Sequence, residues 1–170
     1  RLVGSEMCIR DRVVVGTDLG DGVTIRDGRS DFTVSASFLS GTMTYVKDGG
    51  NTDPTSGSVD AVVVRLCAGN DKLTTSRSFD LPIEAWGGSH DDDMQGGAAG
   101  DSLFGDKISF PTPGTPGNDR LFGRGGHDYL AGADGRDRLR GGAGDDTLLA
   151  GPGIDSCRGG SGDDHLESCE

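Results

Sequence analysis

The chain has little of what usually holds a fold together. Of its 170 residues only 32% are hydrophobic and 5% aromatic, while 31 are glycine, so an oily interior would have to be assembled from unusually few side chains. No apolar run approaches the ~18 residues that cross a bilayer; the longest, Ala61–Val64, is the size of one strand. Positive charge is scarce as well, with 16 Lys and Arg against 28 Asp and Glu and a formal net charge of −12. The deficit is lopsided: residues 1–86 hold 12 acids and 9 bases, residues 87–170 hold 16 and 7, so the second half carries −9 of the −12. Nucleic acid and anionic membrane surfaces are poor partners for such a field, and a cation is a good one.

Recognisable catalytic machinery is missing too. His90, His127 and His165 belong to no HExxH helix, and there is no G-x-S-x-G elbow, no matched cysteine and histidine pair and no EF-hand spacing. The glycine turns are not phosphate cradles, because no Lys-Ser or Lys-Thr follows them. The chain as given is therefore expected to be no enzyme. Its opening, "RLVGSEMCIRDR", shows neither periodicity nor alternation and resembles translated sequencing-adapter sequence. With a start at Arg1 rather than methionine, the chain is expected to be a fragment. Setting Cys8 aside with residues 1–12 leaves an odd number of cysteines, Cys67, Cys157 and Cys169.

What is present is a ruler. From Gly87 the sequence cuts without insertion into nine segments of nine: GGSHDDDMQ, GGAAGDSLF, GDKISFPTP, GTPGNDRLF, GRGGHDYLA, GADGRDRLR, GGAGDDTLL, AGPGIDSCR and GGSGDDHLE. Position six is Asp92, Asp101, Asp119, Asp128, Asp137, Asp146, Asp155 or Asp164, with Phe110 the exception. Position eight is Met94, Leu103, Thr112, Leu121, Leu130, Leu139, Leu148, Cys157 or Leu166. A helix cannot use a period of nine, which is 2.5 turns at 3.6 residues per turn and would send the leucines to alternate sides. The period suits a short strand at positions seven to nine, its middle residue inward, joined by a six-residue glycine turn. Two units then make one coil of 18 residues.

Stacking gives the aspartates a purpose. If residue i lies over residue i+18, about 4.8 Å away, Asp101, Asp119, Asp137 and Asp155 form one column and Asp128, Asp146 and Asp164 another. Columns of like charge repel, and a hard divalent cation between turns reverses the sign: Ca²⁺ takes six to eight carboxylate and carbonyl oxygens in flexible geometry, whereas Mg²⁺ demands a tighter octahedron. These seven aspartates are the expected metal ligands. The third unit loses its aspartate and breaks the pair of Asp92 with Phe110, leaving five complete pairs and an expectation of about five ions.

The units resemble the G-G-x-G-x-D-x-U-x nonapeptide of the repeats-in-toxin (RTX), hemolysin-type calcium-binding family. Gly141, Gly142, Gly144, Asp146 and Leu148 match it fully, as do Gly159, Gly160, Gly162, Asp164 and Leu166. The resemblance covers about half the chain. It implies an all-β fold, a right-handed parallel β-roll over residues 87–167, with Ca²⁺ between turns and secretion as a largely disordered chain that folds where calcium is plentiful, hence an extracellular location. Two functions fit that resemblance: a non-catalytic calcium-binding module, or the tail of a secreted hydrolase or toxin whose catalytic part lies upstream. Cys157 sits at an inward position and Cys169 in a short cap at residues 168–170, so the two either bridge over the final coil or remain thiols.

Residues 13–86 read as a strand-rich lead-in. "DFTVSASFL" and "GTMTYVKD" alternate apolar and polar, and "SVDAVVVRL" and "FDLPIEAW" read likewise. "KDGGNTDPTSGS" is loop-like. Between strands, "AGNDKL" imitates the nonapeptide with Gly69, Asn70, Asp71 and Leu73, but from Gly69 to His90 is 21 residues, three more than one coil. A β-sheet or irregular solenoid flowing into the roll is expected.

Overall fold

A computed structural model describes residues 12–15, 22–27, 31–36, 42–46, 61–66, 68–106 and 115–170. Fifteen strands and no helix occur among them. One sheet runs β1 (Arg12–Val15), β5 (Val62–Arg65), β7 (Ile83–Gly88), β9 (Ser102–Asp106), β11 (Tyr129–Ala131), β13 (Thr147–Leu149) and β15 (His165–Glu167). The other runs β14 (Ser156–Ser161), β12 (Arg138–Ala143), β10 (Arg120–Gly125), β8 (Asp93–Gln95), β6 (Lys72–Thr75) and β2 (Gly22–Asp27), then continues into β3 (Asp31–Ala36) and β4 (Thr42–Val46). All pairings are parallel except β2 with β3 and β3 with β4. Successive strands from β5 onward alternate between the two sheets, so each coil gives one strand to each and the whole is a parallel β-roll.

In the repeat array the strands are short because each coil has only one inward side chain per sheet to bury, whereas β5 buries both Val62 and Val64. In β11 and β13 the middle residue alone is buried. Leu103, Leu130 and Leu148 stack in one sheet and Met94, Leu121 and Leu139 in the other, all between 0% and 2% exposed. Strands β10, β12 and β14 run three residues further than the motif suggests, into the glycine turn. In the last described coil Leu166 is 42% exposed. Cys157 and Cys169 are bridged there, with Cα atoms 5.6 Å apart, and Glu170 N–H donates to the Asp155 carbonyl.

Upstream, β1, β2, β5, β6 and β7 lie in the same two sheets as the repeats. The segment "FDLPIEAW" becomes a strand only from Ile83; Phe79 instead turns inward at 0% exposure. Those residues absorb the three-residue excess, since Lys72 pairs with Asp93 and Val62 with Ile83, both 21 apart. The loop-like stretch 47–58, Cys8, Cys67, Phe110 and Thr112 lie outside the described residues.

One expectation about register is overturned. Ser102 pairs with Tyr129 and Asp93 with Arg120, both 27 apart, so the coil containing the third unit is nine residues longer than the 18 assumed. Asp101 therefore stands over Asp128, not Asp119, and Asp92 over Asp119. The cause is chemical. The unit "GDKISFPTP" has no aspartate for the column and no leucine for the core, and the next unit takes its place. Downstream the spacing is 18 throughout.

Candidate metal centre

Two columns of carboxylates run along the roll, one at each turn edge. Asp71, Asp92, Asp119, Asp137 and Asp155 form the first; Asp101, Asp128, Asp146 and Asp164 form the second. All but Asp164 are 1% to 3% exposed. Within a column each Oδ1 accepts the backbone N–H of the aspartate one coil earlier: Asp119 N–H to Asp137 at 2.8 Å, Asp137 N–H to Asp155 at 2.8 Å, Asp128 N–H to Asp146 at 2.9 Å and Asp146 N–H to Asp164 at 3.1 Å. The long coil keeps the rule, with Asp92 N–H on Asp119 and Asp101 N–H on Asp128, both 2.8 Å. The second column ends upstream at Asp101, whose Oδ1 takes the N–H of Ile83.

One oxygen of each carboxylate is thus spent on the coil-to-coil ladder. The other, Oδ2, is buried and has no hydrogen-bond partner among the described residues in Asp92, Asp119, Asp128, Asp137, Asp146 and Asp155. Asp101 differs, its Oδ2 accepting Gly97 N–H at 2.6 Å. Six orphaned, buried anionic oxygens are costly. In four of them it faces the first residue of its own turn, where a Cβ on Gly87, Gly123, Gly132 or Gly141 would collide with it, and Asp119 Oδ2 faces Gly105 in the same way. The carbonyl of the equivalent residue one coil later faces the same volume: Gly105 over Gly87, Gly132 over Gly105, Ala150 over Gly132. Position one is glycine to leave an oxygen-lined space, and the donor set, carboxylate plus carbonyl, suits a hard cation. Positions two and four are glycine for another reason. Gly142 and Gly144 adopt φ of 134° and 127°, a region that side chains resist.

Burial drives the carboxyls of Asp92, Asp101, Asp119, Asp128, Asp137 and Asp146 towards their protonated form. It pushes Asp92 and Asp119 up to about 8, Asp128 to about 7, and Asp101 and Asp137 to about 6, against the pull of their backbone hydrogen bonds. Neighbouring carboxylates in the same column raise Asp92, Asp119, Asp128 and Asp137 further, while Arg124 lowers Asp101. Asp146 is raised by the same burial. A bound cation would favour the charged form and reverse this.

All seven aspartates singled out in the sequence fall in these columns, with Asp101 moved to the second. Sequence reasoning passed over Asp92 and Asp71. The signal for both was spacing: 27 and 21 are one coil plus nine and plus three, and Asp71 N–H donates to Asp92 Oδ1 at 2.8 Å. No group of three or more His, Cys, Asp or Glu side chains suited to a metal occurs among the described residues, as expected where each interval offers carboxylates from two coils and takes its remaining donors from the backbone.

The RTX calcium-binding nonapeptide repeat, as a four-copy profile, matches residues 86–107, 114–139 and 132–166. The break between the first two matches coincides with the nine-residue insertion. No curated protein and no solved structure matches the chain significantly. Period, fold, paired aspartate columns and profile agree: residues 86–107 and 114–166 carry RTX calcium-binding nonapeptide repeats.

Proposed function

We propose that the chain is a calcium-binding RTX module whose array folds only as calcium enters the intervals between coils, and that it works outside the cell without catalysing a reaction. The observation that carries this reading is the set of buried Oδ2 atoms without hydrogen-bond partners among the described residues, three of which, in Asp92, Asp119 and Asp137, share their volume with a carbonyl of the next coil. Asp101, Asp119, Asp137, Asp155, Asp128, Asp146 and Asp164 are the proposed ligands, joined by Asp92. The register supplies six stacked pairs among them: 92 with 119, 119 with 137, 137 with 155, 101 with 128, 128 with 146 and 146 with 164. Six ions, one more than the sequence suggested, is the corresponding number.

If each interval binds with the ~10⁻⁴–10⁻³ M affinity of extracellular modules, calcium at ten times Kd contributes roughly 1.4 kcal/mol per ion. Six such ions contribute roughly 8 kcal/mol, within the ~5–15 kcal/mol range of net domain stability. Such affinities need a calcium-rich compartment, and the Cys157–Cys169 bridge suits an oxidising one. The test is a calcium titration followed by far-ultraviolet circular dichroism, with magnesium alongside. A gain of β signal with calcium alone supports the proposal; equal β signal in chelator and in calcium overturns it.

A further inference from the structure

The acidic half of the chain segregates its few cations. Residues 87–170 contain seven basic side chains, and four of them, Arg120, Arg138, Arg140 and Arg158, point outward from one sheet, at exposed positions of β10, β12 and β14. The register stacks them in two rows: Arg120 beside Arg138, and Arg140 beside Arg158. Neighbours in a row are about 4.8 Å apart, and like charges so placed oppose folding. None of the four makes an ion pair with another described residue. The remaining outward positions of these strands' repeat cores are Phe122 and Ser156, and the nearest acid in the same sheet, Asp93, is already paired with Lys72 at 2.8 Å. Beside the second row lies an open concavity of about 630 Å³, lined by Arg140, Arg77, Arg124, Gln95 and Phe122 together with Ala98 and glycines, the Arg124 guanidinium already donating to the Gly96 carbonyl at 3.0 Å. The opposite sheet is different in kind: its outer face carries Trp86 stacked on Phe104 at 5.5 Å and Tyr129 next to it.

We infer that this arginine face is a binding surface for an acidic polysaccharide, a thin polymer bearing a carboxylate or sulfate on successive sugars, laid along the axis of the roll. Guanidinium groups recognise both anions bidentately, and rows that follow the stacking axis match a linear chain of charges. The face is narrow. Its flanks are the turn edges, where Asp134 is exposed on one side and Asp145 and Asp163 on the other. A duplex nucleic acid or a flat anionic membrane is wide enough to meet those carboxylates and be repelled. Single-stranded nucleic acid is held by stacking its bases on aromatic platforms, and Phe122 is the one aromatic residue pointing outward from these three strands.

The test uses the full chain at saturating calcium, with folding verified by circular dichroism. Binding of a chondroitin sulfate oligosaccharide is measured by calorimetry, beside an oligothymidylate and phosphatidylserine vesicles. The expected result is binding of the oligosaccharide alone, weakened by added salt. The double variant Arg140→Gln/Arg158→Gln loses at least about tenfold in affinity, and Arg65→Gln, on the other sheet over Trp86, loses none. Absence of oligosaccharide binding by the folded protein overturns the inference. So does binding that the double variant retains, or an equal or stronger response to the oligonucleotide or the vesicles.

Discussion

The coils upstream of Gly87 and those downstream of it share two sheets but close their turns differently. Upstream, the corner that the second column later occupies is apolar: Val62 pairs with Ile83, and Phe79 and Leu66 fill the interior at 0% exposure, while among the described residues Asp71 alone keeps a buried carboxylate at the first-column corner. Downstream, the position that continues Val62 and Ile83 becomes Asp101, then Asp128, Asp146 and Asp164. The same backbone site holds a hydrocarbon in one region and a carboxylate in the next. An apolar corner carries its own stabilisation by burial, whereas a carboxylate corner is a liability until something neutralises it. The two regions should therefore part company when calcium is withdrawn.

The largest single-residue effect is expected upstream. Phe79→Ala should cost about 3–5 kcal/mol, the usual range for emptying a buried aromatic site, and denaturant midpoints should shift equally with and without calcium. Asp137→Ala should act the other way. Asp137 stands between Asp119 and Asp155, so two intervals lose a ligand and roughly 3 kcal/mol of calcium-dependent stability disappears. The readout is the calcium concentration at half-folding, which should rise; Asp137→Asn, which keeps an acceptor for the Asp119 N–H, should raise it as well. An equal loss in chelator would erase the contrast between the regions.

Much of this was legible in the sequence. The nine-residue clock showed strand, turn, inward leucine and paired aspartate, because each coil repeats the same steric problem. The long coil was not legible from the clock, which never slips: 105–113 keeps the spacing while losing Asp, Gly and Leu, and only pairing reveals that β10 skips it to reach β8. The hydrogen-bonding role of Oδ1 was likewise hidden, since spacing shows that aspartates stack and not which oxygen is left over. Asp71 was visible as an imitation of the motif, and the three-residue excess that disguised it is taken up around Phe79.

Smaller effects sharpen the comparison. Gly123→Ala puts a methyl group against the Asp128 carboxylate and should cost about 1–3 kcal/mol, with a raised calcium requirement. Gly22→Ala meets nothing within 4 Å among the described residues and should stay within about 0.5 kcal/mol. Ala150 shows that one first-position methyl group is accommodated, next to the final coil. The folded, metal-free carboxyls titrate above the unfolded value, Asp92 and Asp119 at about 8 and Asp128 at about 7. Between roughly pH 4 and pH 8 the folded state then holds more protons than the unfolded one, so stability in chelator falls as pH rises. With calcium present, acidification should instead raise the calcium needed for folding, because protons compete for the same oxygens. Denaturant melts in chelator at pH 5 and pH 8 check the first sign; calcium titrations at the same two values check the second.

Hydrogen exchange followed by mass spectrometry, with calcium and then with chelator, separates calcium-held coils from self-supporting ones. Amides of β10 to β14 should lose protection on chelation while β5 to β7 keep more of theirs. Undiminished protection across β10 to β14 in chelator would contradict calcium-coupled folding of the array.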